Sequence, residues 1–319
     1  MRFAFTDDQL GFRDAVRDLL AKDCAPDVVR AAWSGGSERA AWRALGEMGV
    51  LALLAPEDQG GLGLGLVDLV LPLEETGYAA LPEPVVEHCC VALPLLAVPG
   101  AALDGTATVT AGIGDVVPYT QRADHLLLLD DESSRLVAAA EVTLERLQSV
   151  DGARDLARVT GAGGVGTAIG SGDAARARDR GALGAAAQLV GLARRMLDLT
   201  VAYATERRQF GVPIGSFQAV KHHLADARIA LEFARPLVYR AAWSTDARDP
   251  DSPVHVSMAK AAASDAALLT ARQALQCHGA IGYSFEYDLH LFMKRAWALA
   301  AEWGDARWHR ARVERAILS

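Results

Sequence analysis

Residues 203–226 read YATERRQFGVPIGSFQAVKHHLAD. A helical stripe of Leu189, Leu192, Ala193, Met196, Leu199, Thr200 and Tyr203 leads into it. A second stripe, Phe217, Val220, Leu224, Ala227 and Leu231, leads out, with Ser216 as its expected N-cap. Gly211, Pro213 and Gly215 interrupt both patterns, so two helices meet across a loop. Arg207, Gln209, Phe210 and Gln218 crowd towards that joint. A lone arginine at a helix C-terminus neutralises the helix dipole. Taken alone, the segment asks for no more than that role.

The surrounding sequence places this joint in a helical bundle. SMAKAAASDAALLTARQALQ (257–276) and LHLFMKRAWALAAEW (289–303) are two further helices, and helical periodicity returns from residue 182 onward. The first hundred residues are helical too. Thr6 and Gln9 form a capping box ahead of a stripe of Phe12, Val16, Leu19 and Leu20. A helix over ERAAWRALGEMG ends at a glycine, and the loop PEDQGGLGLGLVD leads into VLPLEETGYAA. Between these halves TATVTAGIG, HLLLLD and RLVAAAEVTLERL read as short strands of a small β unit. The expected organisation is a mainly α chain: an N-terminal helical domain (1–104), a shortened β domain (105–172) and a C-terminal four-helix bundle (173–319).

A formal charge of −8 and a pI near 5.5 argue against nucleic acid as a partner. The N-terminus has acidic residues where an export signal needs an apolar core. CCVALPLLAVP is too short to span a bilayer, so no membrane association and a cytoplasmic location are expected. Cys24, Cys89, Cys90 and Cys277 lack metal-ligand spacing and read as reduced small hydrophobes.

GAGGVG (161–166) matches the dinucleotide fingerprint, but no amphipathic helix opens directly after it, so it reads as a linker to the bundle. Adjacent His222 and His223 point about 100° apart on a helix and share no metal. Asp130, Asp131 and Glu132 read as a solvated turn. No metal site is expected.

Residues 276–283, QCHGAIGY, form a second helix end with a glutamine and a Gly-rich turn open to close approach by a ligand. The two segments together resemble the acyl-CoA dehydrogenase family. The family pattern, R-x-x-F-G, then F/H-Q, then Q-x-x-G-G-x-G-[YF], is met by Arg207, Phe210, Gly211, Phe217-Gln218, Gln276, Gly279, Gly282 and Tyr283, with Ala280 at the second glycine. The FTDDQ opening, LGEMGVLALLAPEDQGGLGL and the helix containing Lys260 extend the resemblance. It implies FAD-dependent α,β-desaturation of an acyl-CoA thioester. It also implies that Arg207, Gln209, Phe210, Gln218, Gln276, Gly279 and Ala280 hold the FAD of a neighbouring subunit. Arginine suits a pyrophosphate because it offers several fixed donors.

The family's proton-abstracting base occupies one of two positions. In this chain the commoner is Trp303, ahead of Gly304, and the alternative is Gly181. Glu302 is adjacent, but on a helix one residue turns a side chain by about 100°. The family's T-E-P-x-x-G-S-D flavin segment has no counterpart between residues 100 and 172. The tryptophans stand at 33, 42, 243, 297, 303 and 308, outside the β section. The resemblance therefore points to a small subunit that shares an FAD with a full-length catalytic acyl-CoA dehydrogenase subunit. An α2β2 assembly, as in actinobacterial steroid side-chain degradation, is the expectation. An electron-transfer flavoprotein or similar acceptor would take the electrons. The alternatives are a self-sufficient enzyme using Glu302 as base and a scaffold without flavin contact.

Overall fold

The computed structural model describes residues 4–36, 38–96, 100–130 and 134–318. Thr6 starts the first helix as a complete capping box: its Oγ1 accepts from Gln9 N, and Gln9 Oε1 accepts from Thr6 N. Helix α1 (Asp7–Asp23) buries Val16 and Leu20 against α4 (Leu66–Tyr78). Helices α2 (Pro26–Trp33) and α3 (Ala40–Glu47) complete the first layer, and Gly49 at φ +83° ends α3 as its sequence predicts. Helix α2 is not among the helices expected from sequence. A π-helical turn (Val86–Ala92) and α5 (Gly100–Leu103) lead to the sheets.

Among the described residues the β section holds two small sheets. In the first, β1 (Val109–Ile113) runs parallel to β3 (His125–Leu129), which pairs antiparallel with β4 (Arg135–Ala138) and so with β7 (Thr167–Ala168). The second is the antiparallel order β2 (Val116–Val117), β6 (Ala157–Thr160), β5 (Thr143–Arg146). GAGGVG connects β6 to β7 inside this section, which corrects its reading as the linker to the bundle. Asp131 and Glu132 lie outside the described residues.

The bundle consists of α6 (Ser171–Glu206), α7 (Gln218–Asp246), α8 (Ser252–His278) and α9 (Leu289–Ala301), followed by α10 (Ala306–Leu318). Helix α6 opens ahead of residue 182 and carries Leu189, Leu192, Ala193 and Met196 into the main core. Ser216 does not cap α7: Phe217 is the N-cap residue, and the Ser216 hydroxyl donates to Pro213 O at 2.7 Å.

Ion pairs tie the parts together. Glu75 on α4, 1% exposed, accepts from Arg17 on α1 at 2.9 Å and from Arg194 on α6 at 2.6 Å. Arg295 on α9 pairs with Asp151 ahead of β6 and donates to Leu81 O at 2.8 Å, so one buried guanidinium joins bundle, β section and N-terminal helices. Among the described residues no helix is long and apolar enough to cross a membrane, and no group of His, Cys, Asp and Glu could hold a metal ion. The cysteines are free; Cys24, Cys89 and Cys90 are buried.

Candidate functional site

Helix α6 ends at Glu206, and Arg207 N donates to Tyr203 O at 2.8 Å as the chain leaves the helix. Arg208 and Gln209 (β8) then pair with Val212 and Pro213 (β9). The two-residue loop between them, Phe210 at φ +52° and Gly211 at φ +85°, has the positive dihedrals of a type I′ hairpin. A phenylalanine resists that conformation, because its Cβ crowds the backbone there. Its ring nevertheless stands 92% exposed, edge-on to Phe217 at 6.2 Å. Helix α7 begins at Gln218 without a side-chain cap, which leaves first-turn N–H groups without a side-chain partner.

The second segment ends α8. Gly279 takes φ +64° and ψ −144°, a region open essentially to glycine alone, and turns the chain into the 3₁₀ stretch Gly279–Tyr283. Gln276, Gly279 and Ala280 are exposed.

Aromatic rings bring the two segments together. Tyr203, one turn before Arg207, stacks on His278 with centroids 4.4 Å apart and planes 22° apart, and Tyr287 closes on both rings. The His278 Nδ1–H donates to Ala274 O at 2.8 Å, and burial lowers its pKa, so the ring is neutral. Tyr203 belongs to the helical stripe expected from sequence, whereas His278 has no expected role. Their positions, one turn before Arg207 and between Gln276 and Gly279, were the available signal. Arg207, Gln209, Gln218 and Gln276 are exposed, and none of their side chains makes a hydrogen bond or ion pair among the described residues. One guanidinium and three amides thus line one end of the bundle with their donors unused.

The two positions at which the resemblance expects a base, Gly181 and Trp303, also meet. Trp303 is 4% exposed and its indole lies against Gly181. Helix α9 stops at Ala301, so Glu302 is extended (ψ 151°) and Trp303 left-handed (φ +56°). The helical rotation expected between Glu302 and Trp303 therefore does not apply. Glu302 is turned onto Arg154, with which it forms an ion pair. Glu87 lies in the same interior; its burial, reinforced by the Glu302 charge, pushes its pKa far above the usual carboxylate range.

Family models for the acyl-CoA dehydrogenase N-terminal and C-terminal domains match residues 6–100 and 170–318. Acyl-CoA dehydrogenase IpdE2 of Mycobacterium tuberculosis is 35% identical over 295 residues, covering 89% of this chain and 89% of the relative. Acyl-CoA dehydrogenase FadE34 of the same organism is 33% identical, covering 96% of this chain and 47% of the relative. Among solved structures, the ChsE4-ChsE5 complex from Mycobacterium tuberculosis contains a chain that superposes with TM-score 0.89 at 26% identity, covering 100% of this chain and 99% of the other. The Tcur3481-Tcur3483 steroid ACAD shares the fold, with TM-score 0.85 at 24% identity. With both terminal domains matched and a relative of this identity spanning most of its length, the chain belongs to the acyl-CoA dehydrogenase family.

Proposed function

We propose that this chain is the base-less subunit of a heteromeric acyl-CoA dehydrogenase, lending one end of its bundle to the FAD of a full-length catalytic partner. The observation that carries the reading is the unused donor set at that end. Arg207, Gln209 and Gln218 lie on either side of the exposed Phe210 along the α6–α7 joint, Gln276 precedes the Gly279–Ala280 turn, and none of the four has a side-chain partner among the described residues.

These residues fit FAD in chemical kind. Arg207 offers a fork of donors to a pyrophosphate. The first-turn N–H groups of α7 add a helix N-terminus. Phe210 presents an apolar face, and Gly279 lets backbone N–H groups approach closely. When bound, the flavin supplies the hydride acceptor for oxidation of an acyl-CoA thioester. This chain's contribution is to hold and orient it from the far side of an interface.

The chain's own half of such a site fits poorly. Trp303 and Gly181 provide no carboxylate, and Glu302 is held by Arg154. The cleft left between Gly112, Val116, Arg154, Glu302 and Trp303 is about 270 Å³, below the roughly 300–1,000 Å³ of ordinary ligand pockets. A steroid side-chain CoA thioester is the substrate class we assign, following the naming of a structural relative as a steroid enzyme.

The test is co-expression with a full-length acyl-CoA dehydrogenase encoded nearby. The lone chain should purify with little flavin; the complex should be yellow and should reduce an acceptor with acyl-CoA. Arg207→Ala should release flavin from the complex. A lone chain that is FAD-loaded and active as a homo-oligomer would overturn the proposal.

A further inference from the structure

The geometry points to Trp303 as the residue that excludes acyl thioesters from this chain's own bundle cavity, with Gly181 kept small to seat it. The assignment of that cavity rests on the family reading of the two positions; the seating itself does not.

A Cβ built on Gly181 would stand 2.5–2.7 Å from three carbons of the Trp303 indole. Carbon atoms in packed interiors stay about 3.5–4.0 Å apart, so even alanine at 181 collides with the ring. The indole therefore occupies the space into which a side chain from either position would have reached. Backbone and neighbours are arranged to keep it there. Trp303 adopts φ +56°, an outlier for a bulky residue, and its buried Nε1 has no hydrogen-bond partner. Both features cost stability, so the surroundings must hold the ring in place.

Three clamps do so. Lys260, fully buried on α8, donates from Nζ to Ala300 O at 3.2 Å, to Gly304 O at 3.0 Å and to Ser264 Oγ at 3.3 Å. It thereby binds carbonyls on both sides of Trp303. His309 on α10 donates from Nε2 to Trp303 O at 3.1 Å. The Arg154–Glu302 pair fixes the preceding residue against the β section. The turn is thus pinned from α8, α10 and the β section together, and the indole fills the space beside Gly181. In a mixed assembly this directs the thioester to the partner's cavity.

The test is titration calorimetry of the full chain with hexanoyl-CoA, with free CoA as control. Trp303→Ala, verified as folded by circular dichroism, should bind hexanoyl-CoA at least about tenfold tighter than wild type, with CoA binding unchanged. Equal affinity of variant and wild type for hexanoyl-CoA would overturn the exclusion. Trp303→Leu, which leaves a smaller void, serves the same comparison if the alanine variant does not fold. The seating is read separately from melting temperatures. Gly181→Ala should lower Tm in wild type and by less than half as much in Trp303→Leu; equal losses would overturn it. Arg207 lies roughly 40 Å away along α6, so the flavin-release test of the proposed function stands or falls independently.

Discussion

The rings of Tyr203 and His278 stack 4.4 Å apart, and through that contact the end of α6 is set against the end of α8. Each residue belongs to one of the two segments that carry the unused donors. Tyr203→Leu keeps the helix but removes the stack. It should cost about 1 kcal/mol of stability and loosen the alignment of Arg207 with the Gly279 turn. Flavin retained by the complex after gel filtration should fall more than the small Tm change alone explains. Unchanged retention would show that the two segments act independently.

Phe210 holds a left-handed backbone at the tip of a hairpin, where asparagine followed by glycine is the favoured pair. Phe210→Asn should therefore stabilise the chain by about 1 kcal/mol. The same change removes a ring that is 92% exposed, and the complex should hold flavin less tightly. Opposite signs in the denaturation midpoint and the flavin titration would mark Phe210 as retained for binding.

Arg295 and Asp151 are both nearly inaccessible, at 3% and 1% side-chain exposure. Arg295→Met would leave Asp151 charged and unpaired and Leu81 O without its donor. A loss of about 3–5 kcal/mol is expected, because breaking a buried pair exposes the full desolvation cost of the survivor. Urea denaturation of the variant and of Asp151→Asn/Arg295→Met together would separate the two terms, with the double variant the milder.

His88 is fully buried, donates from Nε2 to Ala102 O at 2.8 Å and accepts at Nδ1 from Val109 N at 3.0 Å. Burial pushes its pKa down to about 4, against an ordinary value of 6.5. The folded state thus prefers the neutral ring. That stabilisation is fully present above pH 6.5 and is lost as pH falls towards 4, at up to about 1.4 kcal/mol per pH unit. In His88→Gln, whose amide can replace both hydrogen bonds, stability should fall less steeply between pH 6.5 and 4. An unchanged slope would place the acid sensitivity elsewhere, His309 being the next group pushed down to about 4.

Glu302 is engaged by Arg154 and follows the end of α9 in extended backbone. Glu302→Gln should leave the turnover of the complex within about tenfold of wild type, roughly 1.4 kcal/mol of barrier. A larger loss in a folded complex would favour Glu302 as a base over the proposed division of labour.

Local pattern made much of the architecture readable. The capping box at Thr6, the stop at Gly49 and the apolar stripe from Leu189 to Met196 are short-range signals, and each appears where its spacing puts it. The strands HLLLL and RLVA were legible for the same reason. The misses have two sources, a competing local hydrogen bond and a distant side chain. Ser216 had cap chemistry, but its hydroxyl turns back to Pro213 O within the 3₁₀ turn. Glu302 looked helical by continuity, yet Lys260, 42 residues away, binds the carbonyls around it and the chain leaves the helix.

The sequence by itself determined the helical organisation, the family resemblance and the absence of a carboxylate at Trp303 and Gly181, because these reside in residue identity and near-neighbour spacing. Tertiary structure alone decided that Tyr203 meets His278, that Arg154 takes Glu302, and that the Trp303 ring lies on Gly181. Those contacts join residues 75 to 148 positions apart, and only side-chain packing between separate elements brings them within van der Waals or hydrogen-bond range.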